Sequence, residues 1–393
     1  MVTNNSVNGI IIGQTLKTGF GELLVGNQTP LIQLSFPYNI NTDLVTTSTA
    51  GSGTVTQADS YAVLSTGAAI NSTADLTTNQ VVHYRPGQGI SVFFTSIFTA
   101  GAAGSTQIIG IGDAVDGFFY GYNGTSFGIL HRNDSVDTWI AQSSWNNDVM
   151  DGTGRTGMTL DQTKGNVFKI QFQWLGFGAI NFYIEDENTG GFTLVHQIQY
   201  PNANTAPSLT NPSLPIFAEV DNDTNTTDIV LKTPSLCAQL EGHNSPAIER
   251  NAQSNRLGSV TSEVNIITIR NKASFASKTN KSFVQADFVS LSVDGNNDCR
   301  FTFYLNATLG GSPSYTDVST NTSVVDFDIA GTTTSGRELF FVYVNAGQQE
   351  TVNIKDLNIG LNPEDTLTVS GQSAGGGGAA ITCDVGLSWT ERI

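Results

Sequence analysis

Phe118, Tyr120 and Tyr122 stand at alternate positions inside the block Gly110-Ile-Gly-Asp-Ala-Val-Asp-Gly-Phe-Phe-Tyr-Gly-Tyr-Asn-Gly-Thr-Ser-Phe-Gly-Ile-Leu130. A period of two places the three rings on one face of a strand, which the 3.6-residue period of a helix cannot do. Asn123-Gly124 follows at once, the pair that two-residue hairpin turns favour because both residues accept positive φ cheaply. Phe127 and Ile129 then resume the alternation. The block predicts a β-hairpin with one apolar face. An isolated hairpin is marginal in water, so the face calls for partner strands.

Those partners follow in the chain. Ile90–Phe98 reads as a central strand, and 166–174, 179–185 and 192–198 as three more, joined by turns at 176–178 and 187–191. In the first of the three, Phe168, Ile170, Phe172 and Trp174 alternate with Val167, Lys169, Gln171 and Gln173, the pattern of an antiparallel strand with one wet side. Strands about ten residues apart with turns between predict a β-sandwich or jelly roll. The expected fold class is therefore all-β, two antiparallel jelly-roll-like β-sandwich domains with little helix.

The expected organisation has four parts. Residues 1–45 are an N-terminal arm with first strands at 9–13 and 20–25, and with 30–36 as either extended arm or edge strand. Residues 46–235 form the first sandwich. Within it, 46–60 read as loop or flexible edge, 62–66, 80–85, 134–141, 214–220 and 227–232 as strands, and 144–157 as a long surface loop of the kind that is uncommon unless it binds something. Residues 236–259 lack apolar periodicity and read as a linker or crossing segment. Residues 260–393 form the second sandwich, with strands at 264–270, 284–293, 299–305, 324–329, 338–344, 366–369 and 385–389 and a surface turn at Gly375–Gly378.

Charge excludes some functions. The 393 residues carry a net charge of −17, from 34 acidic and 17 basic side chains, with no basic cluster for phosphates; nucleic acid is not an expected partner. Only 13% of residues are charged, against about 25% in ordinary domains, and Thr, Ser, Asn and Gly fill the difference. No run approaches the roughly 18 apolar residues of a membrane helix, and the N-terminus lacks a secretory pattern; synthesis in a cytosol without a cleaved signal peptide is expected. Cys237, Cys299 and Cys383 are spaced for neither zinc nor a disulfide framework, which predicts buried free thiols with room for one long-range bridge.

Several blocks resemble modular structural proteins of tailed phages and large DNA viruses: Pro30–Asn41, Tyr84-Arg-Pro-Gly-Gln-Gly89, the 110–130 block, Gln173–Ile180, Leu361–Val369 and Leu387-Ser-Trp-Thr-Glu391. The first domain resembles a concanavalin-A-like or laminin-G-like jelly roll. The resemblance implies a non-enzymatic virion protein, a surface, fibre or minor capsid component located in the particle. Other virion proteins are the implied partners, with a homo-trimer as the assembly suggested by family analogy. A lectin-like attachment module for a host glycan is the alternative, and a polysaccharide-degrading enzyme the second.

The residues offer three kinds of chemistry. Calcium is considered at Asp113 and Asp116 with Asn123 across the hairpin, and at Asp221-Asn-Asp-Thr-Asn225; the latter lacks the glycine and the final acid of an EF-hand loop, and a hydrated turn is the simpler reading of both. Glycoside hydrolysis needs two carboxyl groups about 5–9.5 Å apart, for which Glu219 and Asp221, on one side of a strand end, are the best pair. None of the four histidines sits near a nucleophile elbow or a His-x-x-x-His pair. Sugar binding uses an aromatic face ringed by amides and carboxylates, which Trp139 and Trp145 with Asn146, Asn147, Asp148 and Asp151 would supply, unless Trp145 instead anchors its loop to the core.

Overall fold

The computed structural model describes residues 27–82, 87–173, 175–242, 250–374 and 379–392. The chain forms two compact units, Met1–Asn244 and Ser245–Ile393. The strand segments expected at 9–13 and 20–25, residues 83–85 of another, Trp174, the middle of the expected linker and the turn at 375–378 lie outside the described residues. Among the described residues no helix is long and apolar enough to cross a membrane.

The first unit opens with β1 (Gln28–Ser35), β2 (Val45–Ala50), β3 (Thr54–Ala58), β4 (Tyr61–Ser65) and β5 (Ser72–Thr78). Next come β6 (Gly89–Phe98), β7 (Ser105–Gly112), β8 (Gly117–Asn123), β9 (Ser126–Asn133) and β10 (Val136–Ala141). After the 145–165 loop follow β11 (Asn166–Gln173), β12 (Ile180–Glu185), β13 (Phe192–Ile198), β14 (Ile216–Asn222), β15 (Val230–Thr233) and β16 (Ser235–Glu241). One sheet has seven strands in the order β10-β9-β8-β7-β14-β5-β2. The other has nine, β13-β12-β11-β6-β15-β4-β3, with β16 on the other part of the β6 edge and β1 outside it. All pairings are antiparallel.

The two sheets face each other through the aromatic stripe that the sequence displays. Phe118 meets Phe172 at 5.1 Å and Tyr120 meets Phe168 at 4.7 Å between ring centroids. Phe118 and Tyr120 are fully buried, and Phe127 and Ile129 join them from β9. The buried Tyr120 hydroxyl donates to the Tyr183 carbonyl at 3.2 Å, which satisfies a donor that would otherwise be costly to bury. The hairpin is as expected, but its turn is displaced by one residue. Asn123 pairs with Ser126, so the two-residue loop is Gly124-Thr125, with Gly124 at φ 58 in the first position. Glycine first is the arrangement of a II′ turn.

One open choice is decided and two expectations about the segments change. Gln28–Ser35 is the edge strand and not an arm, paired along β16. Residues 46–60 are mostly strand, β2 and β3, at the outer edge of each sheet. Their Thr, Ser and Gly content hid them because an edge strand exposes most of its side chains. The expected linker 236–259 is also largely strand: β16 completes the first unit, and Arg250–Val260 opens the second.

The second unit runs β17 (Arg250–Val260), β18 (Val264–Asn271), β19 (Ser274–Phe275), β20 (Lys278–Thr279), β21 (Phe283–Asp294) and β22 (Cys299–Gly311). It continues with β23 (Thr316–Asp317), β24 (Val325–Asp328), β25 (Gly331–Val344), β26 (Gln349–Asn353), β27 (Gly360–Leu361), β28 (Thr366–Ser373) and β29 (Ile381–Arg392). A five-stranded sheet, β17-β29-β21-β26 with β27 on β21, faces a six-stranded one, β23-β24-β18-β28-β22-β25. Both sheets contribute to one core, with Trp389, Phe301 and Phe303 among its largest side chains. The fold class expected from the sequence is thus observed in both units.

Candidate functional site

The polar residues expected to bind a ligand are used by the protein itself. Trp145 is 6% exposed and lies edge-on to Tyr120 and Phe127, in the core. Asp148 is 2% exposed; its carboxylate accepts from the Met150 and Thr156 N–H groups, each at 2.9 Å, and from the Thr156 hydroxyl. Gly154 permits that closure, since a Cβ there would stand 1.9 Å from Asp148 Oδ1. Asn146 pairs with Gln197 of β13 through both ends of its amide, and Asp151 accepts from the Thr153 N–H and hydroxyl. The 144–157 loop is closed partly by its own side chains and partly by hydrogen bonds to β13.

Calcium is corrected in the same way. Asp116 is fully buried, and its two oxygens accept from the Thr210 N–H and hydroxyl, the Asn211 N–H and the Asp134 N–H. Asp113 accepts from the Val115 and Asp116 N–H groups, a tight turn of its own. Asn123 is exposed at the hairpin end. In the 221–225 loop, Asn222 and Asn225 bond one another and the Thr227 carbonyl. Among the described residues no group of three or more His, Cys, Asp or Glu could hold a metal ion.

The structure instead gathers chemistry on the outer face of the seven-stranded sheet. Residues of β14 that do not face the core, Phe217, Glu219 and Asp221, share that face with Thr73, Asp75 and Thr77 of β5. Glu219 is paired directly with Asp75, and cross-strand partners hold their Cβ atoms about 4.5–5.5 Å apart. From the other edge, Trp139 of β10 pairs with Leu130, and Asp137 with Arg132. Arg132 grips Asp137 with two hydrogen bonds at 2.7 and 3.1 Å, donates to the Asp113 carbonyl, and lies over the Phe119 ring at 5.6 Å. Beneath these groups Ile108, Phe119, Leu130 and Phe217 form a small apolar layer of their own, with Trp139 half-buried against it.

Between the two groups the strands carry glycines. A Cβ at Gly121 would stand 1.8 Å from the Gln107 carbonyl oxygen, and one at Gly128 2.3 Å from that of Ile140. No side chain can rise from these two positions, and both glycines are buried alongside the fully buried Ile108, Phe119 and Leu130 of the same face.

Electrostatics marks the acidic end. Glu219 is pushed from 4.5 up to about 7, first by burial and then by the facing Asp75 carboxylate, with Arg132 pulling the other way. Asp75 rises from 3.8 to about 6 through burial and the Asp221 charge. Its Oδ1 is buried without a hydrogen-bond partner. Two such carboxyl groups side by side cannot both ionise freely, so near neutral pH the pair holds a proton.

Of the expected site residues, this face includes Trp139 and Asn123, and also the Glu219–Asp221 pair considered for hydrolysis. Asp75 and Arg132 were not singled out. Asp75 sits in Ser72-Thr-Ala-Asp-Leu-Thr-Thr78, a strand not among those expected from the sequence, and its partner is remote in the sequence.

No protein-family model matches the chain, and no curated protein matches it. Among solved structures, peanut lectin is similar over 56% of this chain and 100% of its own, at 11% identity and a TM-score of 0.37. The cellulose-induced protein Cip1 covers 53% of this chain and 96% of its own, at 13% identity and a TM-score of 0.36. A glycosyl hydrolase family protein from Mycobacterium fortuitum covers 53% and 99%, at 10% identity and a TM-score of 0.34. At such scores these likenesses carry no argument about function.

Proposed function

We propose that the first unit binds a glycan on the outer face of its seven-stranded sheet, in a chain that serves as a surface component of a virion. The observation that carries the glycan reading is the set of groups on that face. A half-buried indole, a guanidinium fixed by Asp137, and the carboxyl groups of Asp75, Glu219 and Asp221 stand on one face of the sheet. Sugars present apolar C–H faces to aromatic rings and hydroxyls to carboxylates and guanidinium groups.

Trp139→Ala is the informative variant, because Trp139 is on the face and Trp145 is in the core. On a glycan array the intact chain is expected to bind, and Trp139→Ala to weaken binding roughly tenfold while circular dichroism stays unchanged. Silence of the intact chain across a broad array removes the reading. The virion setting rests on the sequence blocks quoted above. Mass spectrometry of purified particles tests it, and a native mass of the isolated chain tests the trimer.

The Glu219–Asp75 pair favours a second reading, glycoside hydrolysis. A retaining mechanism needs two carboxyl groups about 5–5.5 Å apart, for which side chains on directly paired strands are the natural source, and a proton held near pH 7 suits a general acid. Release of reducing ends from a polysaccharide, lost in both Glu219→Gln and Asp75→Asn, is its expected signature. Binding without release in the intact chain leaves the lectin reading alone.

A further inference from the structure

The second unit contains two thiols whose placement the glycan reading does not use. Cys299 is the first residue of β22 and Cys383 the third of β29, so they belong to facing sheets of the sandwich. Both are fully buried, and their sulfurs stand 3.3 Å apart. Gly371 of β28 lies beside the pair, and a Cβ there would meet Ile266 Cδ1 first, at 2.7 Å. A Cβ at that position would stand 3.4 Å from Cys299 Sγ and 3.5 Å from Cys383 Sγ, so the sulfurs sit side by side over the bare backbone.

We propose that Cys299 and Cys383 are a disulfide-forming pair that staples the two sheets of the second unit when the folding chain meets a small-molecule disulfide. An S–S bond is about 2.05 Å, so the sulfurs close by about 1.3 Å. The chemistry balances with glutathione disulfide as the oxidant. One cysteine thiolate attacks it, forming a mixed disulfide and releasing one glutathione thiolate. The second cysteine thiolate then attacks the protein sulfur of the mixed disulfide, forms the Cys299–Cys383 bond and releases the other glutathione. The two thiol protons go to the departing glutathione thiolates, so two glutathiones leave reduced.

The surroundings fit exchange during folding. In the folded core, contact with Cys383 lowers the Cys299 thiol. Both residues lie near strand starts, where local opening is cheapest, whereas the closed core shields the sulfurs from reagent. Cys237 belongs to the first unit, where Gln239 donates to its sulfur at 3.5 Å, and it takes no part.

The cross-link closes a loop between residues 84 apart, the class in which disulfides restrict the unfolded chain strongly. The test refolds the full chain from denaturant in a glutathione buffer, oxidised or reduced, then alkylates under denaturing conditions. The oxidised chain is expected to retain one alkylatable cysteine and to yield a 299–383 linked peptide. Its second-unit thermal midpoint should rise by on the order of 5–15 °C, reversed by reductant. Cys237→Ser is expected to keep the shift, and Cys299→Ser or Cys383→Ser to lose it. Three alkylatable cysteines after oxidative refolding, or a bridge to Cys237, overturns the proposal, and both readouts come from the intact sequence even where a serine variant does not fold.

Discussion

Trp145→Ala is expected to cost the first unit about 3–5 kcal/mol, read as a lower denaturation midpoint at an unchanged slope. The residue reaches the core through a short 3-10 turn at 142–144, closed by the Trp145 N–H donating to the Gln142 carbonyl at 3.0 Å. Its ring then fills the space beside Tyr120 and Phe127, at 6.1 and 6.2 Å between centroids. Alanine leaves a cavity that the paired strands around it cannot collapse to fill. Trp145→Phe sharpens the test. The indole Nε1 is buried without an acceptor, so phenylalanine removes an unsatisfied donor together with part of the ring, and its cost should be far smaller. Equal, small effects of the two substitutions would place Trp145 outside the core. A loss of glycan binding in Trp145→Ala would accordingly report unfolding and not a lost contact.

Glu219→Gln is expected to stabilise the first unit above neutral pH. Folding raises this carboxyl from 4.5 to about 7, so between those values the folded state holds a proton that the unfolded state has released. Stability therefore falls as pH rises through that window. The contribution is complete below about pH 4.5 and gone above about pH 7, a swing of about 3 kcal/mol for Glu219. Asp75 adds a smaller swing in the same direction below about pH 6, discounted because it is less deeply buried and shares its proton with Glu219. Glutamine cannot ionise, so the variant should lose most of the slope and exceed the parent by roughly 1–3 kcal/mol at pH 8. Urea titrations at pH 4.5 and pH 8 read this directly. Parallel curves for parent and variant would mean that Glu219 is solvated and the acidic pair is not strained.

The strands of the first unit were legible because alternation is a local property. Phe118, Tyr120 and Tyr122 declare both strand and face within five residues, and Phe168, Ile170 and Phe172 do so again. The site was less legible because it depends on register. Nothing near Asp75 announces Glu219, and the pairing exists only because β5 and β14 align with Asp75 opposite Glu219. The loop misled for a different reason. Trp145, Asp148 and Asp116 have the composition of a binding site, yet a buried acid that accepts several backbone N–H groups has the same composition. Burial separates the two cases, and burial of a loop is decided by the strands beneath it. Edge strands β2, β3 and β17 escaped for want of apolar residues, since their outward side chains meet water.

The pairing of β1 with β16 has a mechanical consequence. Gln28 lies opposite Glu241 and Ser35 opposite Ser235, so the first and last described strands of the first unit have their outer ends side by side on one antiparallel ladder. Tension along the chain pulls these two neighbours apart and loads the ladder bond by bond, with the irregular register at Pro30/Ile32 among the first to feel it. A unit tethered by both ends would yield by unzipping this edge at low force, while β6, held by β11 on one side and by β15 and β16 on the other, stays locked inside the sheet.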